Sequence, residues 1–294
     1  MSDHDDHRSP DGDASEPMLR CSRCEQPIPV SQAIEAPVGY QCRDCAKGAV
    51  PARKLRDLQV RPMVTYGLLV VIGAVFLVTM VDEQGTLLDM FALRTVLVGD
   101  GQGWLLVTSA FLHAGTMHVA FNGFLLWRLG EMLETHLGPG RFVALYAAGI
   151  GGGSLGVVVT GWLYTTPLAS VPVLGSVLTS HPGIPTVGAS GAVFALMGAA
   201  MAGMRHSGVN PWRTDIGGLV LLNLVITFVF SERISVGGHI GGLLMGLAVG
   251  RLLFVDREKI RRGIVIVAII AGATFAAAWF LSDLVLTRMI QQLS

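Results

Sequence analysis

Gly188-Ala189-Ser190-Gly191 opens the apolar run 189–204, so a serine stands at the mouth of a segment that reads as a membrane helix. A hydroxyl is tolerated there, because serine can bond its own helix backbone. Gly188, Gly191 and Gly198 fit the small-residue packing by which membrane helices approach one another. The tetrapeptide alone says no more than that. Two further stretches change its meaning: His239 in a second apolar run, and His118 with Asn122 in a third.

The runs decide the fold class. The chain has 294 residues, is 51% hydrophobic and only 14% charged, with a mean hydropathy of +0.57. Soluble domains carry about 25% charged residues. A membrane helix needs about 20 mostly apolar residues, and seven runs qualify as candidates: 63–81, 117–137, 141–164, 189–204, 216–231, 236–255 and 264–286. They predict an all-α polytopic membrane protein. The fourth and fifth are short, which predicts that the other helices enclose them. Residues 82–116 mix Leu87, Phe91 and Leu97 with Asp82, Asp89, Arg94 and Asp100, the pattern of a compact interfacial loop, with Trp104 as its anchor. Zero net charge gives no reason to expect nucleic acid.

The segment before these runs reads as a soluble head with no apolar core for a signal peptide. Residues 1–17 are a disordered acidic tail by composition. All four cysteines follow, as Cys21-Ser22-Arg23-Cys24 and Cys42-Arg43-Asp44-Cys45. Two C-x-x-C pairs separated by 17 residues match a tetrathiolate zinc site, each pair closing one edge of the tetrahedron. Residues 18–48 are therefore a zinc-ribbon-like head that folds with its metal, and 49–62 a basic linker. Disulfides are disfavoured if the head is cytosolic.

Lys and Arg set the orientation. Lys47, Arg53, Lys54, Arg56 and Arg61 precede the first run, and Arg128, Arg141, Arg205, Arg213 and the cluster Arg251 to Arg262 mark every second junction. The alternate loops carry only Arg94 and Arg233. The N-terminus is placed in the cytoplasm and the C-terminus outside. Ser190, His239, His118 and Asn122 then share one depth in the outer half, brought there by three helices. Intramembrane ionisable residues are costly and usually functional. A nucleophilic hydroxyl needs a base in reach, and His239 is the best candidate, with His113 and His118 as competitors. His118 and Asn122, at i and i+4, form a donor pair suited to a developing oxyanion. No Asp or Glu shares that depth, so the site reads as a dyad, and Phe194 is placed to pack beside the imidazole.

The runs His113-Ala-Gly-Thr-Met-His118-Val-Ala-Phe-Asn122, Gly188-Ala-Ser190-Gly191 and His239-Ile-Gly-Gly242 resemble the three signature helices of rhomboid intramembrane serine proteases. Order and spacing agree over residues 61–255. The resemblance implies Ser190 as nucleophile, His239 as general base, and His118, Asn122 and the Ser190 N–H as oxyanion donors. It implies supporting places for Phe194, Gly188, Gly191 and Gly242, and a structural Gly130-x-x-x-Glu134 pattern. It further implies a six-helix protease core at 63–255, with an inner loop and an added seventh helix at 256–294. Transmembrane protein substrates cut near the outer face of the lipid bilayer are implied too, with no cofactor for catalysis. The family's Trp-Arg loop pair is absent, since Leu105 follows Trp104, and Phe194 stands where many members stack a tyrosine. The 165–187 loop is long enough for a lid or a substrate contact.

Three other readings compete. A catalytically inactive rhomboid-like escort protein would not need both Ser190 and His239. A transporter would tend to show internal repeats, and a zinc metalloprotease an H-E-x-x-H motif. The sequence has neither. The glycines at 149–156 and the every-fourth series Gly238, Gly242, Gly246 and Gly250 read as close helix packing.

Overall fold

A computed structural model of the chain describes residues 16–36, 39–47, 61–254 and 260–294, with no side-chain description for Ile260 and Arg261. Nearly all of the expected tail and linker, and the loop after residue 254, lie outside the described residues. The chain divides into two compact units, residues 1–59 and 60–294.

The first unit is built from two short antiparallel hairpins. β1 (Met18–Arg20) pairs with β2 (Pro27–Pro29), and β3 (Ile34–Glu35) pairs with β4 (Tyr40–Gln41), followed by helix α1 (Arg43–Lys47). Cys21 and Cys24 occupy the β1–β2 turn, where Glu25 takes a left-handed φ of 61°. Cys42 closes β4 and Cys45 lies in α1. A core this small holds little apolar area, Cys21 and Ile28 being its buried apolar residues among those described, and such units usually need a staple.

The second unit is helical. Helices occupy all seven apolar runs: α2 (Met63–Met80), α6 (Thr116–Leu137), α7 (Pro139–Tyr164), α9 (Ser190–His206), α10 (Asp215–Val229), α11 (Val236–Leu253) and α12 (Ile260–Leu293). Three short helices, α3 (Thr86–Phe91), α4 (Thr95–Gly99) and α5 (Leu105–Thr108), form the segment before α6, and α8 (Leu174–Leu178) lies in the loop before α9. Of the seven, α2, α7, α11 and α12 are long and apolar enough to cross a membrane by themselves.

α9 is the enclosed helix, buried without a break from Ala192 to Gly203. It lies against α11, α7 and α6, with the densest packing on α11. Glycine makes that packing possible. A methyl on Gly242 would overlap the Gly191 carbonyl oxygen, one on Gly246 the Ala195 carbonyl oxygen, and one on Gly250 would sit 2.8 Å from Ala199 Cα. Three of the four glycines in the every-fourth series thus face α9; the fourth, Gly238, faces Val157 of α7 instead. The 149–156 glycines serve the same end, Gly149 meeting α9 and Gly152 and Gly156 meeting α11.

α10 departs from expectation. It is short, 15 residues, yet only Gly217, Val220 and Thr227 are buried, while Leu221, Leu222, Val225, Phe228 and Val229 are exposed. Length predicted an enclosed helix, but its apolar side chains run all round, so most of it faces lipid. A 15-residue helix spans about 22 Å, short of the roughly 30 Å hydrocarbon core. α12 departs the other way: its 34 residues reach about 51 Å, so its ends stand beyond the hydrocarbon. One such end carries Arg288, whose guanidinium lies 5.6 Å from the Trp162 ring centre.

The segment 82–116 is docked and does more than lie at the interface. Leu93, Val98, Leu105 and Leu106 join Val157 and Val158 of α7 and Ala278 of α12 in a second core cluster, and Ser154 Oγ donates to the Leu106 carbonyl at 2.6 Å. Trp104 itself is exposed. At the far end of the bundle the fully buried Glu134 of α6 accepts from Val64 N–H at 2.9 Å, Thr65 N–H at 2.8 Å and Thr65 Oγ1–H at 2.7 Å. Those amides open α2 and have no intrahelical partner, and a carboxylate there also meets the positive end of the helix dipole. Gly130, one turn earlier, leaves the room that Thr65 fills.

Candidate active site

A cavity of about 850 Å³ opens between α6, α9, α10, α11 and the 179–188 segment. Ser190, His239, His118, Asn122, Phe194, Gly188 and Gly191 all line it. The four polar residues singled out in the sequence, set on three helices, thus share one chamber.

The chain before Ser190 is held by backbone pairing. Leu93 and Thr186 exchange N–H···O bonds of 3.0 and 2.9 Å, Val96 N–H donates to the Pro182 carbonyl, and Gly188 N–H donates to Ser109 at 2.9 Å. This fixes Gly188 at φ +130°, where side chains are strained, and a Cβ there would lie 2.8 Å from His118 Nε2. Gly188 therefore leaves the room that the His118 ring occupies. Ser190 is the first residue of α9, so its N–H is one of the amides left free at a helix start and is directed into the cavity end of the helix. Among the described residues Ser190 Oγ makes no hydrogen bond.

On α11, one turn past the Ser235 cap that accepts from Gly238 N–H at 3.0 Å, His239 is buried. Phe194 stacks on it, with ring centroids 4.2 Å apart and planes 22° apart. The Asn122 amide nitrogen donates to the His118 carbonyl at 3.0 Å, a bond along its own helix. An amide carries two N–H groups, so this bond leaves a second donor. His113, a competitor for the base, lies behind the cavity wall. Its ring meets His118 edge-on at 5.0 Å, and its Nε2 accepts from Ala189 N–H at 3.4 Å. Burial, with a lesser push from His118, drives the His113 imidazole down to about 4, so it is neutral and spent on holding the turn before Ser190.

One residue of the site escaped the sequence reading. Thr227 of α10 is fully buried and its Oγ1 stands 2.7 Å from His239 Nδ1. A lone threonine in an apolar run normally bonds its own helix, which gave no reason to single it out. The 165–187 loop contributes Val177, Thr179, Ser180, Ile184, Pro185, Thr186 and Val187 to the wall of the same cavity.

In the head, the four cysteine sulfurs lie within 4.8 Å of one another, with Cys24 and Cys42 Sγ at 3.8 Å. A tetrahedron of Zn–S bonds of about 2.3 Å has S···S edges of about 3.8 Å, so the cluster can hold a metal ion. Amides of Cys24, Cys42 and Arg23 hold the Cys21 thiol down to about 6. Hydrogen bonding to Cys42 and then Cys24 pushes Cys45 up to about 12. Four thiols this close resist joint ionisation, and a cation relieves that conflict.

The Rhomboid domain family model matches residues 100–256, just over half of the chain. The Bacillus subtilis rhomboid protease GluP is 33% identical over 165 residues, covering 55% of this chain and 28% of that protein. RHOMBOID-like protein 5 of Arabidopsis thaliana is 32% identical over 57% of this chain and 50% of its own length. The rhomboid protease GlpG of Klebsiella pneumoniae is 32% identical over 53% of this chain and 49% of its own length. The chain therefore spans half or less of each of these relatives.

Proposed function

The chain belongs to the rhomboid family of multi-pass membrane proteins, and on that premise we propose that it is an intramembrane serine endopeptidase working through Ser190 and His239. Supporting this is the convergence of Ser190, His239, His118 and Asn122 on one cavity from three helices. Ser190 Oγ attacks the scissile carbonyl while His239 Nε2 takes its proton. The oxyanion is met by the Ser190 N–H, the free N–H of Asn122 and the His118 ring. His239 then returns the proton to the leaving amine, and water repeats the cycle on the acyl-enzyme. The substrates are transmembrane segments of other proteins, admitted from the bilayer and cut near its outer face. The basic residues at every second junction support a cytoplasmic N-terminus and an outer C-terminus. The cysteine quartet holds a structural zinc, and catalysis uses no cofactor.

Labelling with a serine-reactive fluorophosphonate tests this directly. The parent protein should label, and Ser190→Ala and His239→Ala should not. Equal labelling in all three would remove the dyad; a parent that neither labels nor cleaves would favour an inactive relative that binds membrane proteins.

A further inference from the structure

An imidazole acts as a base only through the nitrogen that lacks a proton, so the tautomer of His239 decides whether it can serve Ser190. Phe194 fixes the plane of the ring but offers no polar atom to choose between tautomers. Among the described residues no carboxylate pairs with His239. What faces Nδ1 is Thr227 Oγ1 at 2.7 Å, and the same hydroxyl donates to the Asn223 carbonyl at 2.7 Å. A threonine hydroxyl has one proton and two lone pairs. With the proton given to Asn223, the oxygen meets Nδ1 as an acceptor, and Nδ1 must carry the hydrogen.

We propose that Thr227 is a positioning residue: its Oγ1 accepts the Nδ1–H of His239 and so fixes the tautomer whose bare Nε2 takes the Ser190 proton. This rests on the serine-protease reading of the site. The bond persists when the ring becomes imidazolium, because Nδ1 donates in both states. α10, otherwise a lipid-facing helix, thereby contributes to the site a part that a carboxylate plays in a triad, without adding a buried charge.

Thr227→Val keeps the shape and removes the acceptor, whereas Thr227→Ser keeps it. With a transmembrane substrate, kcat should fall about 10- to 100-fold in the valine variant with KM unchanged, the range of one such hydrogen bond, and should return to near parental with serine. Parental kcat in the valine variant, or equal loss in both, would overturn the proposal. A second measurement reads the tautomer without turnover: spectra of 15N-histidine-labelled protein, with the His239 signals assigned by their loss in His239→Ala. The parent and the serine variant should show Nδ1–H, and the valine variant a shift towards Nε2–H. An Nε2–H parent, or an unchanged valine spectrum, would sink the assignment. A parent without Ser190-dependent cleavage would count against the protease reading alone, since the spectrum still reports on Thr227.

Discussion

At the scale of single residues, the proposed site divides into groups assigned to react and groups assigned to hold them. Asn122 is assigned to stabilise the oxyanion and donates its other N–H to the His118 carbonyl of its own helix. Its loss therefore removes no bond between helices. Asn122→Ala should slow turnover roughly 10²–10³-fold, about 3–4 kcal/mol, while the thermal unfolding midpoint stays near parental. Substrate affinity should change little, because the donor acts mainly on the transition state. Turnover of a fluorogenic transmembrane substrate alongside thermal melting checks both. A stable mutant with parental turnover would move the oxyanion role to His118 and the backbone. Ser190, His239, His118 and Asn122 were legible because polar side chains are scarce in apolar runs, so each one stands out. Thr227 was not, since a threonine that bonds its own helix looks the same in sequence as one that also reaches across to a histidine.

At the scale of elements, glycine spacing carried most of the information. Backbones pack face to face only where no side chain intervenes, so the every-fourth series Gly238, Gly242, Gly246 and Gly250 pointed to close helix packing, and three of the four make it against α9. The place of α10 was hidden, because shortness and apolarity fit both an enclosed and a lipid-facing helix, and only the neighbours decide. Gly242 gives the sharpest test of this scale. It lies one turn beyond His239, and an added methyl would meet the Gly191 carbonyl, which is backbone and cannot rotate away. Gly242→Ala should cost about 1–3 kcal/mol, as overpacking does, and also depress turnover, because Ser190 and His239 would be driven apart. Gly272→Ala on α12 is the control, since nothing lies within 4 Å of its added methyl. Its midpoint should hold or rise, alanine being the better helix former by about 1 kcal/mol. Equal effects of the two substitutions on melting would show that the α9–α11 contact is not tight.

At the scale of the whole molecule, the chain combines a membrane unit that packs through glycine with a head too small to fold on apolar burial. The structural metal assigned to the head fits Cys21, Cys24, Cys42 and Cys45, whose sulfurs already gather within 4.8 Å. Purified protein should therefore carry about one zinc per chain, and replacing Cys42 and Cys45 by serine should release it and expose residues 18–48 to proteolysis. Turnover of a transmembrane substrate in detergent should remain within about twofold of the parent. The reason is visible inside the membrane unit: the start of α2 is fastened by Glu134, and the cavity lies beside His118 on the same helix α6. Sixteen helical residues separate His118 from Glu134, about 24 Å of rise, so the chain enters α2 far from the His118 end of the cavity. Glu134 supplies its own cap to α2, so the helix start does not depend on the head for its hydrogen bonds. Metal analysis and proteolysis of the double mutant, with its turnover, test both halves. Unchanged zinc content would end the tetrathiolate assignment. Loss of turnover together with zinc would instead mean that the head acts on the protease, and that the cap at Glu134 is not enough to isolate them.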